Sequence, residues 1–174
     1  MSLLLAVHTL FVFVVGACVG SFLNVCISRW PEELSVVRPP SRCPKCGTGI
    51  AWYDNVPILG WLQLGGKCRS CREPISPMYP LVELTVGLMV AAIVLWLGPN
   101  LMALRVALFA VILLGVAITD VTHYLIPDGF TVSGLALALS GAVAGLWLGE
   151  PSPFAGPVDA IFGACVGAGA ITII

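Results

Sequence analysis

The chain has 174 residues, 59% of them hydrophobic and 10% charged, with a net charge of −1 and a mean hydropathy of +1.02. Soluble domains carry about 25% charged residues, and a globule of this size keeps roughly a third of its unfolded surface in water. A water-soluble globule and a disordered polar chain are both excluded, and no basic excess points to nucleic acid.

From Met1 to Ser28 there is no charged side chain. A bilayer-spanning helix needs about 20 apolar residues, so Leu3–Ile27 is a predicted span. A cleaved signal peptide would carry a positive n-region. Here no Lys or Arg precedes the run and Arg29 follows it, so the span is read as retained. Pro31–Pro80 is polar. Leu81–Leu97, Leu101–Thr119 and Gly129–Leu148 follow as spans, with Glu83 near the edge of the second. The third requires Arg105 to snorkel to the interface. Ala160–Ile174 is a short fifth run with no basic or aromatic anchor after it, read as a helix cut in mid-membrane and hence as the end of a fragment.

Seven of the eight basic residues lie between the first and second spans. The positive-inside rule makes that segment cytoplasmic and the N-terminus external. Residues 98–100 then form an outer turn, 119–128 an inner loop and 150–159 an outer loop. Gly16-x-x-x-Gly20, Gly141-x-x-x-Gly145 and Gly163-x-x-x-Gly167 suit close helix packing, although lipid-facing chance explains such spacings as well in glycine-rich helices. No internal repeat is evident. Cys18, Cys26 and Cys165 fall in spans and are read as small packing residues.

The polar segment holds Cys43-Pro44-Lys45-Cys46 and Cys68-Arg69-Ser70-Cys71, 21 residues apart. Two such knuckles read as a four-cysteine zinc site, because a two-residue gap turns both sulfurs of a pair toward one ion. Disulfides or redox use are the alternative, disfavoured on a reducing cytoplasmic face. A closed four-ligand site is structural. It would fold a short insert whose remaining core is expected from Trp52, Tyr53, Trp61 and Leu62. Lys45, Arg69 and Arg72 are expected to help keep the thiols deprotonated. The fold class is thus an all-α polytopic membrane protein of about five transmembrane helices, the last truncated, with a small cytoplasmic zinc-ribbon-like insert. Its divisions are 1–28, 29–80 and 81–174.

Glu83, Asp120, Asp128 and Asp159 sit near span ends. Glu150 and Asp159 flank the outer loop and read as solvated. Glu83 is placed in the first turn of its helix, where the dipole favours an anion. Asp120 closes fourteen uncharged residues, and the chain breaks at Pro127 before Asp128. An acid at the edge of hydrocarbon is costly to ionise and suited to proton transfer, though such acids also serve structure. Asp120 and Asp128 would stand about 12 Å apart on a continuous helix, too far to share a proton as an aspartic dyad does. His123 reads as a loop histidine, with proton carriage as the alternative.

These residues resemble a known family, the prepilin leader peptidases of type IV pili and type II secretion. Gly20-Ser21-Phe22-Leu23-Asn24-Val25-Cys26-Ile27, with Arg29 and Pro31, is similar to the family's first-span signature. Arg42-Cys43-Pro44-x-Cys46, Ile50-x-Trp52-x-Asp54-Asn55-Val56-Pro57, Gly66-Lys67-Cys68-x-x-Cys71 and Tyr79-Pro80-x-x-Glu83 resemble its four-cysteine domain. Asp120 with Ile126-Pro127-Asp128 resembles the first of its two aspartate motifs. The resemblance implies a membrane aspartyl endopeptidase of the bacterial inner membrane that removes the leader of a prepilin or pseudopilin after a glycine, at the cytoplasmic face. It further implies N-methylation of the new terminus with S-adenosylmethionine. Asp120 would be one catalytic carboxylate, Cys43, Cys46, Cys68 and Cys71 the zinc ligands, and Asp128 and Glu83 supporting residues. The family's second aspartate lies in a Gly-x-Gly-Asp motif that this sequence does not contain. The alternatives are an inactive fragment, a zinc-ribbon adaptor binding a pilin or secretion partner, and a transporter fragment. Boundary acids and a zinc-type insert argue against the last. Nothing in the sequence bears on oligomeric state.

Overall fold

The computed structural model describes residues 3–148 and 158. The expected loop 150–159, the fifth span Ala160–Ile174 and Cys165 therefore lie outside the described residues, apart from Val158. Among the described residues five helices run in chain order: α1 Leu3–Arg29, α2 Leu59–Gln63, α3 Met78–Leu97, α4 Leu101–His123 and α5 Asp128–Leu148, with 3-10 turns at Trp30–Glu32 and Trp52–Asn55. The described residues are helical apart from the loops and two isolated β-bridges. α1, α3 and α4 are each long and apolar enough to cross a membrane, and the apolar part of α5, Asp128–Ala144, is shorter. At 1.5 Å per residue α1 reaches about 40 Å.

The bundle is built on the seam between α1 and α3. A Cβ on Gly16 would stand 3.0 Å from the Gly87 Cα, and one on Gly20 2.8 Å from the Glu83 Cα. Only hydrogen fits there, which is the close backbone approach that small residues permit in apolar helix pairs. Chance lipid exposure is thus set aside for this pair. Leu23 and Cys26 of α1 meet Val82 and Val86 of α3, Val111 of α4 and Phe130 of α5 in one buried cluster. Trp30 meets Phe130 edge-on, 4.5 Å between centroids. Asn24 Nδ2 donates to the Tyr79 carbonyl at 3.0 Å, tying α1 to the first turn of α3. Cys18, by contrast, is exposed on α1.

Helix ends follow local chemistry. Gly98, at φ 80°, ends α3. The Asn100 side chain caps α4 by accepting from the Ala103 N–H at 2.8 Å, as N-cap residues do. Tyr124, at φ 55°, ends α4 in the left-handed region, its N–H donating to the Asp120 carbonyl.

Two expectations need correction. α3 starts at Met78 rather than Leu81, because Pro80 sits in its first turn, where a missing N–H costs nothing. Glu83 is therefore in the second turn. Arg105 does not snorkel outward: it is 6% exposed, with its Cδ and Nε 3.8 Å from where a Cβ on Gly141 of α5 would stand. The absent side chain at Gly141 leaves room for the arginine stem inside the bundle.

Candidate functional site

The insert between α1 and α3 brings Cys43, Cys46, Cys68 and Cys71 together, all four Sγ atoms within 4.8 Å of one another. The Cys43–Cys71 pair is 3.8 Å apart and the Cys46–Cys68 pair 4.0 Å. Four sulfurs about 2.3 Å from a tetrahedral zinc stand about 3.8 Å from each other. The donor set and its spacing therefore fit such an ion, and no described cysteine is in a disulfide.

Each knuckle is made the same way. Cys43 N donates to Thr48 O and Cys68 N to Glu73 O; Gly47 N donates to Cys43 O and Arg72 N to Cys68 O. Ile50 N donates to Ser41 O and Ile75 N to Gly66 O. Bridges pair Arg42 with Gly49 and Lys67 with Pro74. Gly47 and Arg72 both take positive φ, 70° and 61°. The whole pattern recurs at an offset of 25 residues, so the insert is an internal repeat. The sequence carries its signal, a basic residue, Cys-x-x-Cys, then Ile four positions on, at residues 42–50 and again at 67–75. That signal was missed because only the cysteines coincide with an obvious motif.

The thiols are not tuned by the neighbouring cations. Thr48, first through its side chain and then its backbone, brings Cys46 down to about 6, with Cys46 Sγ and Thr48 Oγ1 3.3 Å apart. Backbone N–H groups at Cys71 and Ser70 lower Cys68. Cys71 is pushed up to about 12, against a favourable backbone contact at Glu73, by burial and by the sulfurs of Cys68, Cys46 and Cys43. Two of the expected cations are engaged elsewhere. Lys45 stands 3.9 Å from Glu73. Arg69 grips Asp54 with two bonds, Nε to Oδ2 at 2.7 Å and Nη2 to Oδ1 at 2.5 Å. That bidentate pair holds the Asp54 carboxyl below its ordinary value. The Arg69 guanidinium also lies 5.5 Å from the Tyr53 ring centroid. No periodicity in the sequence couples Asp54 to Arg69, which is expected from the sequence to serve the thiols instead.

The expected aromatic core is thin. Trp52 is 82% exposed, and Tyr53 and Leu62 also face outward. Trp61 alone turns in, its Nε1–H donating to the Ile75 carbonyl at 3.1 Å and its ring lying over Gly66. Between the insert, the C-terminal end of α1 and the start of α3 lies a cleft of about 670 Å³, lined by Asn24, Tyr53, Trp61, Tyr79 and Glu83 among others. Glu83 is 8% exposed and its Oε2 accepts the Ile58 N–H at 2.7 Å. Ile58 itself has φ 63° and ψ −52°, with Leu59 N donating to Pro57 O across it. That is a γ-turn of the strained kind, at a β-branched residue that avoids positive φ. A buried carboxylate thus pins the insert to the membrane helix at a strained turn.

The carboxylates at the α4–α5 turn form a separate place. Asp120 is exposed in the last turn of α4, and Asp128, also exposed, opens α5. The left-handed Tyr124 divides them, so they do not share a helix, and neither forms an ion pair among the described residues. His123 is exposed beside them. An apolar groove of about 260 Å³ is lined by Met78, Ala117, Ile118, Val121 and Thr122, and Asp120 is not among its lining residues. Asp120 does not line the larger cleft.

Residues 14–97 match the family model of the bacterial peptidase A24 N-terminal domain. The chain is 43% identical over 157 residues to a prepilin leader peptidase/N-methyltransferase of Myxococcus xanthus, covering 90% of this chain and 45% of the relative. It is 39% identical over 140 residues to a protein of the same name from Klebsiella pneumoniae, covering 75% and 61%. It is 35% identical over 171 residues to a type 4 prepilin-like proteins leader peptide-processing enzyme of Escherichia coli, covering 87% and 61%. The chain thus spans about half the length of the curated relatives it matches. No solved structure matches it.

Proposed function

The chain belongs to the prepilin leader peptidase/N-methyltransferase family, and from that membership we propose that the complete protein removes the leader of type IV prepilins and pseudopilins at the cytoplasmic face of the bacterial inner membrane. The observation that carries this reading is the pairing of the family's four-cysteine insert with an exposed, unpaired Asp120 at the end of an apolar helix. We read α1, α3, α4 and α5 as transmembrane, with a further span after them, the N-terminus outside, and seven basic residues holding the insert inside. The divisions proposed are 1–28, 29–80 and 81–174.

In this reading Asp120 is one of two carboxylates, the second coming from another span. One carboxylate, ionised, takes a proton from water; the other, protonated, donates to the scissile carbonyl. Asp128 supports the turn. Cys43, Cys46, Cys68 and Cys71 would hold zinc, whose chemistry here is structural, since four protein ligands leave no position for water. Glu83 positions the insert through Ile58. N-methylation with S-adenosylmethionine is proposed as the second activity on the strength of the relatives' names, and no residue is assigned to it.

The test is to incubate the complete, zinc-loaded protein in detergent with a purified prepilin and to follow the substrate by mass spectrometry. A single cut after the leader glycine supports the peptidase. Binding without cleavage overturns it in favour of a zinc-ribbon adaptor.

A further inference from the structure

We infer that the exposed apolar side chains of the insert, Leu59 and Leu62 of α2 together with Trp52 of the preceding 3-10 turn, form an anchor that seats in the headgroup layer of an anionic bilayer. The inference rests on the membrane reading of α3 proposed above. Its first support is depth. Glu83 is the sixth residue of α3, about 7.5 Å along the axis from Met78, and its carboxylate accepts the Ile58 N–H at 2.7 Å. The N-terminal end of α2 therefore lies level with the second turn of an apolar span rather than out in the aqueous phase.

The second support is the sidedness of α2. Gly60 is buried against the backbone of Asp54, and Trp61 reaches inward to the Ile75 carbonyl. Leu59 and Leu62, three apart and so on one face, are 56% and 58% exposed, and Trp52 is 82% exposed. A soluble knuckle domain gains nothing by presenting two leucines and a tryptophan to water. At the headgroup layer the same residues lose apolar surface to lipid, and tryptophan is favoured there.

The third support is charge. Residues 29–80 carry seven basic and four acidic side chains, a net charge of +3. Among the described residues Arg38, Arg42, Lys67 and Arg72 form no ion pair. Unpaired cations on the segment that carries the exposed apolar residues complement a leaflet of anionic headgroups, which attracts such charges over about a Debye length.

The experiment uses the full chain, zinc-loaded, in vesicles of phosphatidylcholine and phosphatidylglycerol. The photo-crosslinker p-benzoylphenylalanine is placed singly at Leu59, Leu62, Lys45 or Leu88, and zinc content reports that each variant keeps its fold. The expected result is lipid adducts at Leu59 and Leu62 as at Leu88, which is exposed on α3, and loss of the adduct at Lys45 beside the metal centre. Replacing phosphatidylglycerol by phosphatidylcholine lowers the adduct at Leu62 and leaves that at Leu88 unchanged. Lipid adducts at Leu88 but only protein adducts, or none, at Leu59 and Leu62 would overturn the anchor while sparing the membrane reading. Absence of lipid at Leu88 would overturn both.

Discussion

Replacing Glu83 with alanine removes the acceptor that holds the Ile58 turn. The bond is 2.7 Å long, its acceptor is 8% exposed, and the residue it holds sits at φ 63°. Hydrogen bonds to a charged group contribute about 1.5–3 kcal/mol, and a buried N–H left without a partner costs a similar amount. At about 1.4 kcal/mol per tenfold, that corresponds to a 10- to 150-fold rise in local opening of residues 56–60. The turn also loses what offsets its backbone strain, so the loop relaxes toward an extended geometry. Hydrogen exchange read by mass spectrometry in detergent micelles measures this directly. Peptides spanning 56–64 are expected to exchange faster by that factor, while those around Cys43 and Cys68 change little. Glu83→Gln, which keeps an acceptor oxygen, should recover part of the protection. Ile58→Gly, which relieves the positive φ, should slow opening in the wild-type background. Unchanged exchange at 56–64 in Glu83→Ala would refute the latch.

Three further outcomes follow from the geometry. Cys43→Ser should lower zinc occupancy and expose the whole insert to exchange, and loading the wild-type insert with zinc at pH 7 should release protons, at least the one Cys71 holds at about 12; full zinc content in the variant would refute the ligand set. Gly20→Leu brings a Cβ within 2.8 Å of the Glu83 backbone, an overpacking that costs about 1–3 kcal/mol and should lower the thermal midpoint in detergent, whereas an unchanged midpoint would dissolve the α1–α3 seam. Asp54 titrates below its ordinary 3.8 because Arg69 grips it, so its contribution is complete above that value and is lost as pH falls through the lower folded one. Asp54→Asn should flatten that acid step in the protease resistance of the insert, and an identical step in the variant would refute the assignment.

The cysteine knuckles were legible because zinc chemistry imposes a spacing that few other roles share. The apolar runs were legible because a bilayer demands length and lack of charge together, and α1, α3 and α4 have both. What escaped depended on contacts between residues distant in sequence. Pro80 looked like the end of the insert, yet proline is tolerated in the first helical turn, so α3 begins earlier and Glu83 becomes a buried acceptor rather than a dipole partner. Lys45 and Arg69 looked like companions of the thiols, but carboxylates at Glu73 and Asp54 reach them first. Arg105 looked like an interfacial residue until Gly141, on another helix, made room for it. The repeat at an offset of 25 is written in hydrogen bonds more than in side chains.

The measurement that bears most directly on the proposed function compares Asp120→Asn with the wild-type complete protein in prepilin cleavage, with zinc content recorded for both. The amide keeps the size of the side chain but can neither take a proton from water nor give one to a carbonyl. The account predicts loss of cleavage with zinc retained. Normal cleavage by the Asn variant would contradict it.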